Sequence, residues 1–258
     1  RRAESINDVG MAIQAVDGAT LENLRVTDLR DLTAVAPSFT VSQSYQGVPT
    51  YTLRGIGFNT INLSSTSTVG TYVDEVAYAY PIMNTGPVMD LERVEVLKGP
   101  QGTLYGRNTT AGLINFITAK PTDSFEGSIS ADLGNYQTWN IGGHLSGPLA
   151  NGIAARIAFR SENSDKGWQV SNTRGERLGV VDKLGIRGSL AIDPGPGTHF
   201  DLSVTWWRNK SDTVAGQGIG FTPATDPVTG TSNSRFFNAA GLATYIAGNA
   251  PTRATQAD

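Results

Sequence analysis

Residues 90–121, DLERVEVLKGPQGTLYGRNTTAGLINFITAKP, decide how the rest of the chain is interpreted. Four glycines lie between two short apolar runs, residues 94–97 and 113–117, and both runs are rich in β-branched residues. Runs of this length and composition are typical of buried strands. Glycines at this density favour tight turns and left-handed backbone, which other residues resist. The stretch therefore predicts two strands joined by a glycine-rich connection.

The composition excludes several classes of function. Lys plus Arg total 20 and Asp plus Glu total 23, so the net charge of −3 provides no basic field for nucleic acid, and no such partner is predicted. The chain has no cysteine, which excludes disulfides and thiolate nucleophiles. With only His144 and His199 besides, we predict no protein-built metal site and no cofactor.

The first 121 residues have a mixed α/β pattern. Apolar runs predict strands at 9–16, 39–44, 50–54, 70–76, 93–98 and 113–118. Thr20 and Thr27 are expected to cap two short helices, and Pro37 is expected to stop the second. Three apolar residues of that second helix share one face: Leu29, Leu32 and Val35.

After Pro121 the pattern changes to alternation of apolar and polar residues. The runs are 125–133, 153–160, 184–193 and 200–207, with 139–145 less regular. Each approaches the roughly 9–11 residues that a tilted membrane strand needs. A soluble antiparallel sheet with one wet face has the same period, and that alternative stays open.

Two features favour membrane strands. Charged residues such as Arg156, Arg160 and Arg187 occupy one face only, as the inside of a barrel requires. Short connections also alternate with long ones, which is typical of inner turns and outer loops.

Five strands cannot close a barrel, and an open edge in lipid leaves backbone groups unpaired. Transporters with a plugged lumen use roughly 22 strands. We therefore expect a fragment, trimmed at its front, because no initiating Met or signal peptide is visible. Residues 209–258 are predicted to be an outer loop, with a short helix at 235–247.

The glycine-rich stretch resembles the signature of the plug domain of TonB-dependent outer-membrane receptors, RVEVLKGPQGTLYGRNTxAGxINxIT. The resemblance extends from about residue 5 to about residue 207. It implies an α+β plug at 1–121 followed, at 122–258, by the first five or so antiparallel strands of a transmembrane β-barrel and an outer loop. Glycines of the plug turns would be Gly55, Gly99, Gly102, Gly106 and Gly112.

The resemblance also implies a latch between plug and barrel. Arg54, in the sequence LRGI, and Arg93, in LERV, match arginines that pair with glutamates on the inner barrel wall in this family. Those glutamates are not in this chain. The alternative is that each arginine is a solvated residue at the end of a strand.

Ligand contacts are expected at the tips of outward-facing plug loops, where aromatic and amide side chains suit a chelated or sugar-like ligand. The candidates are Tyr45, Gln46, Phe58, Asn59, Tyr78 and Tyr80. Alternatively, Tyr78 and Tyr80 pack against the barrel wall.

No enzyme is predicted, because no catalytic residues can be nominated. Asp74 and Glu75 are adjacent, so on a strand they point to opposite faces and act structurally. The segment 99–102 resembles a phosphate-binding loop but lacks its GK[ST] ending.

The function implied by the resemblance is active uptake of a scarce nutrient across the outer membrane, most often a ferric siderophore. The partners would be an extracellular iron chelate, outer-membrane lipid and TonB with ExbB and ExbD, reached through a TonB box before Arg1. Cobalamin or an oligosaccharide is the alternative substrate. A soluble β-rich extracytoplasmic binding module is the alternative class of protein.

Overall fold

In the computed structural model, the described part of the chain comprises residues 12–24, 26, 29–43, 47–57, 66–171, 175–195 and 197–213. The predicted helix at 235–247 and the helix cap at Thr27 lie outside these residues, as does the start of the first predicted strand. No helix among the described residues is long and apolar enough to cross a membrane.

The front of the chain forms two small sheets. The larger sheet has the strand order β1-β7-β8-β5-β6, in which β5 and β8 are parallel and the other pairs antiparallel. The smaller sheet has the order β2-β3-β4. The eight strands are β1 Ala12–Asp17, β2 Phe39–Gln43, β3 Pro49–Leu53, β4 Ile56–Gly57, β5 Val69–Val73, β6 Val76–Ala77, β7 Leu91–Lys98 and β8 Gly112–Thr118.

Within the described residues, three short helices accompany these sheets: α1 Gly18–Asn23, α2 Leu32–Val35 and α3 Gly102–Tyr105. Single 3₁₀ turns occupy Leu29–Asp31 and Pro81–Asn84. One apolar core joins sheets and helices, and it includes Leu32, Phe39, Leu53, Val94 and Ile114, each at most 1% exposed. As expected, Leu29 and Leu32 are buried and Val35 packs on the same core, and α2 ends before Pro37.

The cap predicted at Thr20 is wrong, because the capping residue is Asp17. Its carboxylate accepts a hydrogen bond from the Thr20 backbone N–H at 2.7 Å, which satisfies a donor that the first turn of α1 leaves free. The same bond and one from the Thr20 hydroxyl lower the pKa of Asp17 below its ordinary value of 3.8. Thr20 is the third residue of the helix and serves as the donor.

The predicted strand at 70–76 is in fact a hairpin. Asp74 and Glu75 form the turn between β5 and β6, with φ of 47° and 68°, and Val73 pairs with Val76 across it. Two left-handed residues in succession match the twist of a two-residue hairpin, and Asp tolerates that conformation. The structural role expected for Asp74 has a concrete form: its carboxylate accepts bonds from the Thr118 amide and hydroxyl at 2.9 and 2.8 Å.

The rest of the described chain forms one antiparallel sheet with the order β15-β14-β11-β10-β9, here called the wall. Its long strands meet the length requirement for crossing a bilayer. A separate β12–β13 ribbon lies in the connection between β11 and β14. The strands are β9 Glu126–Gly134, β10 Thr138–Ala150, β11 Ile153–Ser164, β12 Gln169–Val170, β13 Arg177–Leu178, β14 Val181–Gly195 and β15 Thr198–Asn209.

The two faces of the wall differ as the alternation predicts. Apolar side chains on the outer face are exposed, for example Ile129 at 79%, Leu133 at 88% and Val204 at 75%. The inner face packs on the front sheets and buries Arg156 and Arg187, each 7% exposed. An exposed apolar outer face and a charged inner face that packs on other residues are the arrangement of a membrane barrel with a filled lumen.

The junction between the two parts lies between Thr118, where β8 ends, and Glu126, where β9 begins. Thr122 is fixed there by its amide and hydroxyl, which contact the Ser146 hydroxyl of β10 at 2.9 and 2.8 Å. The domain boundary at residue 121 stays a prediction.

Candidate functional site: the contact between plug and wall

Arg54 occupies the turn between β3 and β4, together with Gly55. Its φ of 53° is left-handed, and its amide donates to the Ser38 carbonyl at 2.8 Å. The side chain is exposed, and its guanidinium passes 4.0 Å from the point where a side chain on Gly99 would begin. The hydrogen bond to Ser38 fixes the backbone of Arg54, the side chain is exposed, and its role as a latch stays a prediction.

Arg93 lies on β7 and contacts acidic residues of the plug itself. Its Nε is 2.8 Å from Glu95 Oε1, and its Nη1 contacts Glu92. Burial opposes the charge, but the hydrogen bond to Glu95 and the attraction of both carboxylates outweigh it and raise the pKa of Arg93. The side chain is 39% exposed, so these ion pairs are of the weak, solvent-screened kind.

The strongest link between the two parts of the molecule was not assigned from the sequence. Asp90, just before β7, accepts a two-pronged bond from Arg156 of β11, with Nε–Oδ2 at 2.7 Å and Nη2–Oδ1 at 2.6 Å. The remaining Nη1 of Arg156 donates to Glu126 Oε1 at 2.7 Å. The two side chains are only 6% and 8% exposed, so a fork of high geometric specificity is withdrawn from water.

Arg187 of β14 binds the backbone at the same place. Its Nη1 donates to the carbonyls of Met89 and Asp90 at 3.3 and 3.4 Å, and its Nε donates to Thr205 Oγ1 at 3.2 Å. Higher on the wall, Asn209 Nδ2 donates to the Thr85 carbonyl at 2.8 Å. We call residues 85–90 the strap, because the wall holds them at both ends.

Close packing accompanies these bonds, and two glycines make it possible. A Cβ on Gly185 of β14 would lie 2.7 Å from Pro87 Cγ and 3.1 Å from Met89 Cε. A Cβ on Gly86 would lie 2.9 Å from the Trp207 ring. Because such distances are shorter than carbon contacts allow, the strap lies flush on the wall only without those side chains.

Elsewhere the plug and the wall are separated by a groove of about 1000 Å³. Polar residues line it on both sides, with Glu95 and Asn115 on the plug and Ser189 and Ser203 on the wall. The ion pair between Lys120 and Asp201, 2.9 Å long, crosses it, and its side chains are 64% and 46% exposed. The hydrogen bond that Lys120 donates to the Asp201 carboxylate raises the pKa of Lys120.

Four of the six predicted ligand contacts, Tyr45, Gln46, Phe58 and Asn59, lie outside the described residues. Tyr78 is half-buried and borders a small cavity of about 70 Å³ that Arg187 and Trp207 also line. Tyr80 is 42% exposed and precedes the strap. Tyr78 therefore shares a cavity with wall residues and Tyr80 is accessible, and the ligand role of both tyrosines stays a prediction.

The plug glycines adopt two kinds of backbone. Gly55, Gly99, Gly106 and Gly112 have φ of 77°, 103°, 76° and 142°, which side chains rarely adopt. Gly102 differs from the expected turn glycine, because it begins α3. Gly112 is the most confined, since a Cβ there would lie 2.2 Å from the Leu97 carbonyl oxygen.

Comparison with known proteins matches this architecture. The family described as the TonB-dependent Receptor Plug Domain matches residues 5–113. The pesticin receptor of Yersinia enterocolitica is 30% identical over 196 residues, which cover 73% of this chain and 27% of that protein. The ferric enterobactin receptor PirA of Pseudomonas aeruginosa is 28% identical over 148 residues, which cover 54% of this chain and 18% of that protein.

Among solved structures, the ferric yersiniabactin uptake receptor FyuA from Yersinia pestis superposes with a TM-score of 0.70. The sequences are 24% identical, and the match covers 76% of this chain and 31% of that one. The chain belongs to the TonB-dependent receptors, which are β-barrel proteins of the outer membrane. It spans about a quarter of the length of the pesticin receptor, with a plug followed by the first strands of the barrel.

Proposed function

We propose that the complete protein imports a ferric siderophore across the outer membrane. The observation that carries this proposal is the seating of a compact plug on the charged inner face of a wall whose outer face is bare and apolar. Such a wall suits a lipid-embedded pore that is closed until the plug moves. The relatives named for ferric enterobactin and ferric yersiniabactin support the choice of cargo.

The proposed partners follow from the same architecture. An iron chelate binds on the outside, and TonB, with ExbB and ExbD, acts from the inner side through a TonB box expected before Arg1. Binding shifts the plug between two states only if the ligand has different affinities for them. We therefore propose that ligand bound to the plug loops with the candidate contacts stabilises one of the two states of the plug.

Calorimetric titration of the full-length receptor tests the cargo. We expect saturable binding of a ferric siderophore and none of cobalamin or of neutral glycans. Heat from cobalamin or a glycan alone would contradict the siderophore assignment and leave the transporter class in place.

The proposed ligand face is tested by Tyr80→Ala and Asn59→Ala in the same titration. Loss of a stacking or hydrogen-bonding partner should weaken binding by about tenfold, which is the effect of roughly 1.4 kcal/mol. Tyr136→Ala is the control, because that tyrosine is as exposed, at 43% against 42%, but lies outside the plug, in the turn between β9 and β10. Unchanged affinity in both plug variants would contradict the assignment.

A further inference from the structure

Two kinds of contact join plug and wall, and they differ in burial. The Asp90–Arg156 fork is almost fully withdrawn from solvent, whereas the Lys120–Asp201 pair across the groove is largely exposed. Exposed pairs contribute little and exchange readily with water. Removing one partner from a buried pair is costly, because the other charge is left uncompensated.

The carboxylate of Asp90 is positioned by its own backbone. Its φ of 49° is left-handed, a conformation that Asp and Asn adopt more readily than most residues. His144 Nδ1 lies 3.6 Å from Asp90 Oδ1, and Arg187 Nη1 donates a hydrogen bond to the Asp90 carbonyl. One plug residue thus meets side chains of three wall strands, β10, β11 and β14.

The groove has the opposite character. It separates β7 and β8 of the plug from β14 and β15 of the wall, and the Oδ1 atom of Asn115, which lines it, is buried without a hydrogen-bond partner. The groove, of about 1000 Å³, keeps the facing parts of the plug and the wall out of close contact, which leaves room for them to move relative to each other. The strap, by contrast, has no such space, as the contacts at Gly185 and Gly86 show.

From this contrast we propose that Asp90 is the residue that anchors the plug to the wall. The strap stays fixed to the wall by Asp90 during transport, and the passage opens at the groove. This inference rests on the proposed transport function for one of its two tests and is independent of it for the other.

The independent test measures leakage. Asp90→Asn in the full-length receptor removes the charge but keeps a residue that tolerates the same φ. We expect the leak of small hydrophilic solutes through receptor-containing vesicles to rise about tenfold or more, because breaking a buried pair is among the costlier single changes. The matched control is Asp74→Asn, another left-handed aspartate, whose bonds stay within the plug.

Equal leakage in the Asp90→Asn receptor and the unaltered receptor would overturn the proposal. So would an equal rise in both Asp variants, because the effect would then come from the plug fold and not from its attachment. No cargo is needed for this measurement, so it does not depend on the siderophore assignment.

The second test uses the absence of cysteine from this chain. Thr85→Cys with Asn209→Cys places two thiols where the first residue of the strap is already bonded to the wall, for closure by mild oxidation. Lys120→Cys with Asp201→Cys, joined by a short bismaleimide, ties the two sides of the groove. Uptake of ferric siderophore by cells should survive the strap cross-link and be lost with the groove cross-link.

Loss of uptake on oxidation of the strap pair, restored by reduction, would overturn the proposal. Failure of the uncross-linked, reduced receptor to take up any ferric siderophore would instead contradict the proposed function. The two failures are therefore distinguishable, and the leakage result stands in either case.

Discussion

One added methyl group decides whether the first residue of β8 can pair with β7. Gly112→Ala places a Cβ against the Leu97 carbonyl at a φ of 142°, so we expect the stability of the plug sheet to fall by about 1–3 kcal/mol. Native-state hydrogen exchange of the β8 amides measures this loss. Gly102→Ala is the control, because Gly102 is helical and nothing lies within 4 Å of its added Cβ. Equal protection in the two variants would contradict the argument.

Arg54 is the residue that tests the predicted latch. Its exposed side chain lies in the turn between β3 and β4, outside the apolar core, so Arg54→Ala should loosen the plug in the complete receptor without unfolding it. Faster cleavage of the plug by protease and a raised channel leak are the expected results. Arg107→Ala, which removes an exposed arginine outside the latch motifs, is the control. Unchanged protease resistance and leak would refute the latch.

The residues that sequence inspection assigned and missed differ in a physical way. Arg54 and Arg93 are recognisable because they lie in the motifs LRGI and LERV. Asp90 directly precedes the second motif and has no partner that is visible along the chain. Its partner, Arg156, lies 66 residues away, and no local pattern connects the two. The sequence predicts that the inner face of the wall is charged, but it does not predict that Asp90 is the plug residue that pairs with Arg156.

At the scale of elements, the wall strands were predictable because successive side chains of a strand point to opposite faces. Apolar and polar residues that alternate with a period of two therefore indicate a strand with one apolar face and one polar face. Shorter plug elements were less predictable. The sequence predicts one strand at 70–76 because apolar residues flank Asp74 and Glu75 on both sides, whereas these two acids form the turn of the β5–β6 hairpin. It also predicts the helix cap at Thr20, whereas Asp17 is the cap.

The outer face of β15 provides the test at this scale. Val204→Arg puts a charge near the middle of the strand, on the apolar face, where it should cost about 2–4 kcal/mol at the bilayer midplane. Ser203→Arg is the control, because that position faces the groove. Folding of the full-length receptor into lipid vesicles, followed by heat-dependent gel mobility across a urea series, gives the difference. Equal midpoints for the two variants would contradict the assignment of faces.

For the whole molecule, the seating of the plug on the wall could not be read from the sequence, since it depends on strand tilt and on side chains distant in the chain. The family resemblance implied that a plug fills a barrel. It did not give the strap, the groove or the difference in burial between the contacts that join them.

The described wall leaves β9 and β15 with one unpaired edge each and exposes a broad apolar face. The 258-residue chain, produced alone, should therefore associate with detergent micelles or vesicles and aggregate in buffer without them. Sedimentation with and without detergent measures this behaviour. A monodisperse monomer in plain buffer would contradict the membrane assignment of the wall.

The position of the strap along the chain has a consequence for biogenesis. The wall residues that donate hydrogen bonds to it, from Arg156 to Asn209, lie on the five long strands that follow it. Segments that are close in sequence find each other sooner, since less chain entropy is lost in closing the loop between them. The plug can therefore pack on the first barrel strands while they form, and later strands are then added around a lumen that is already filled.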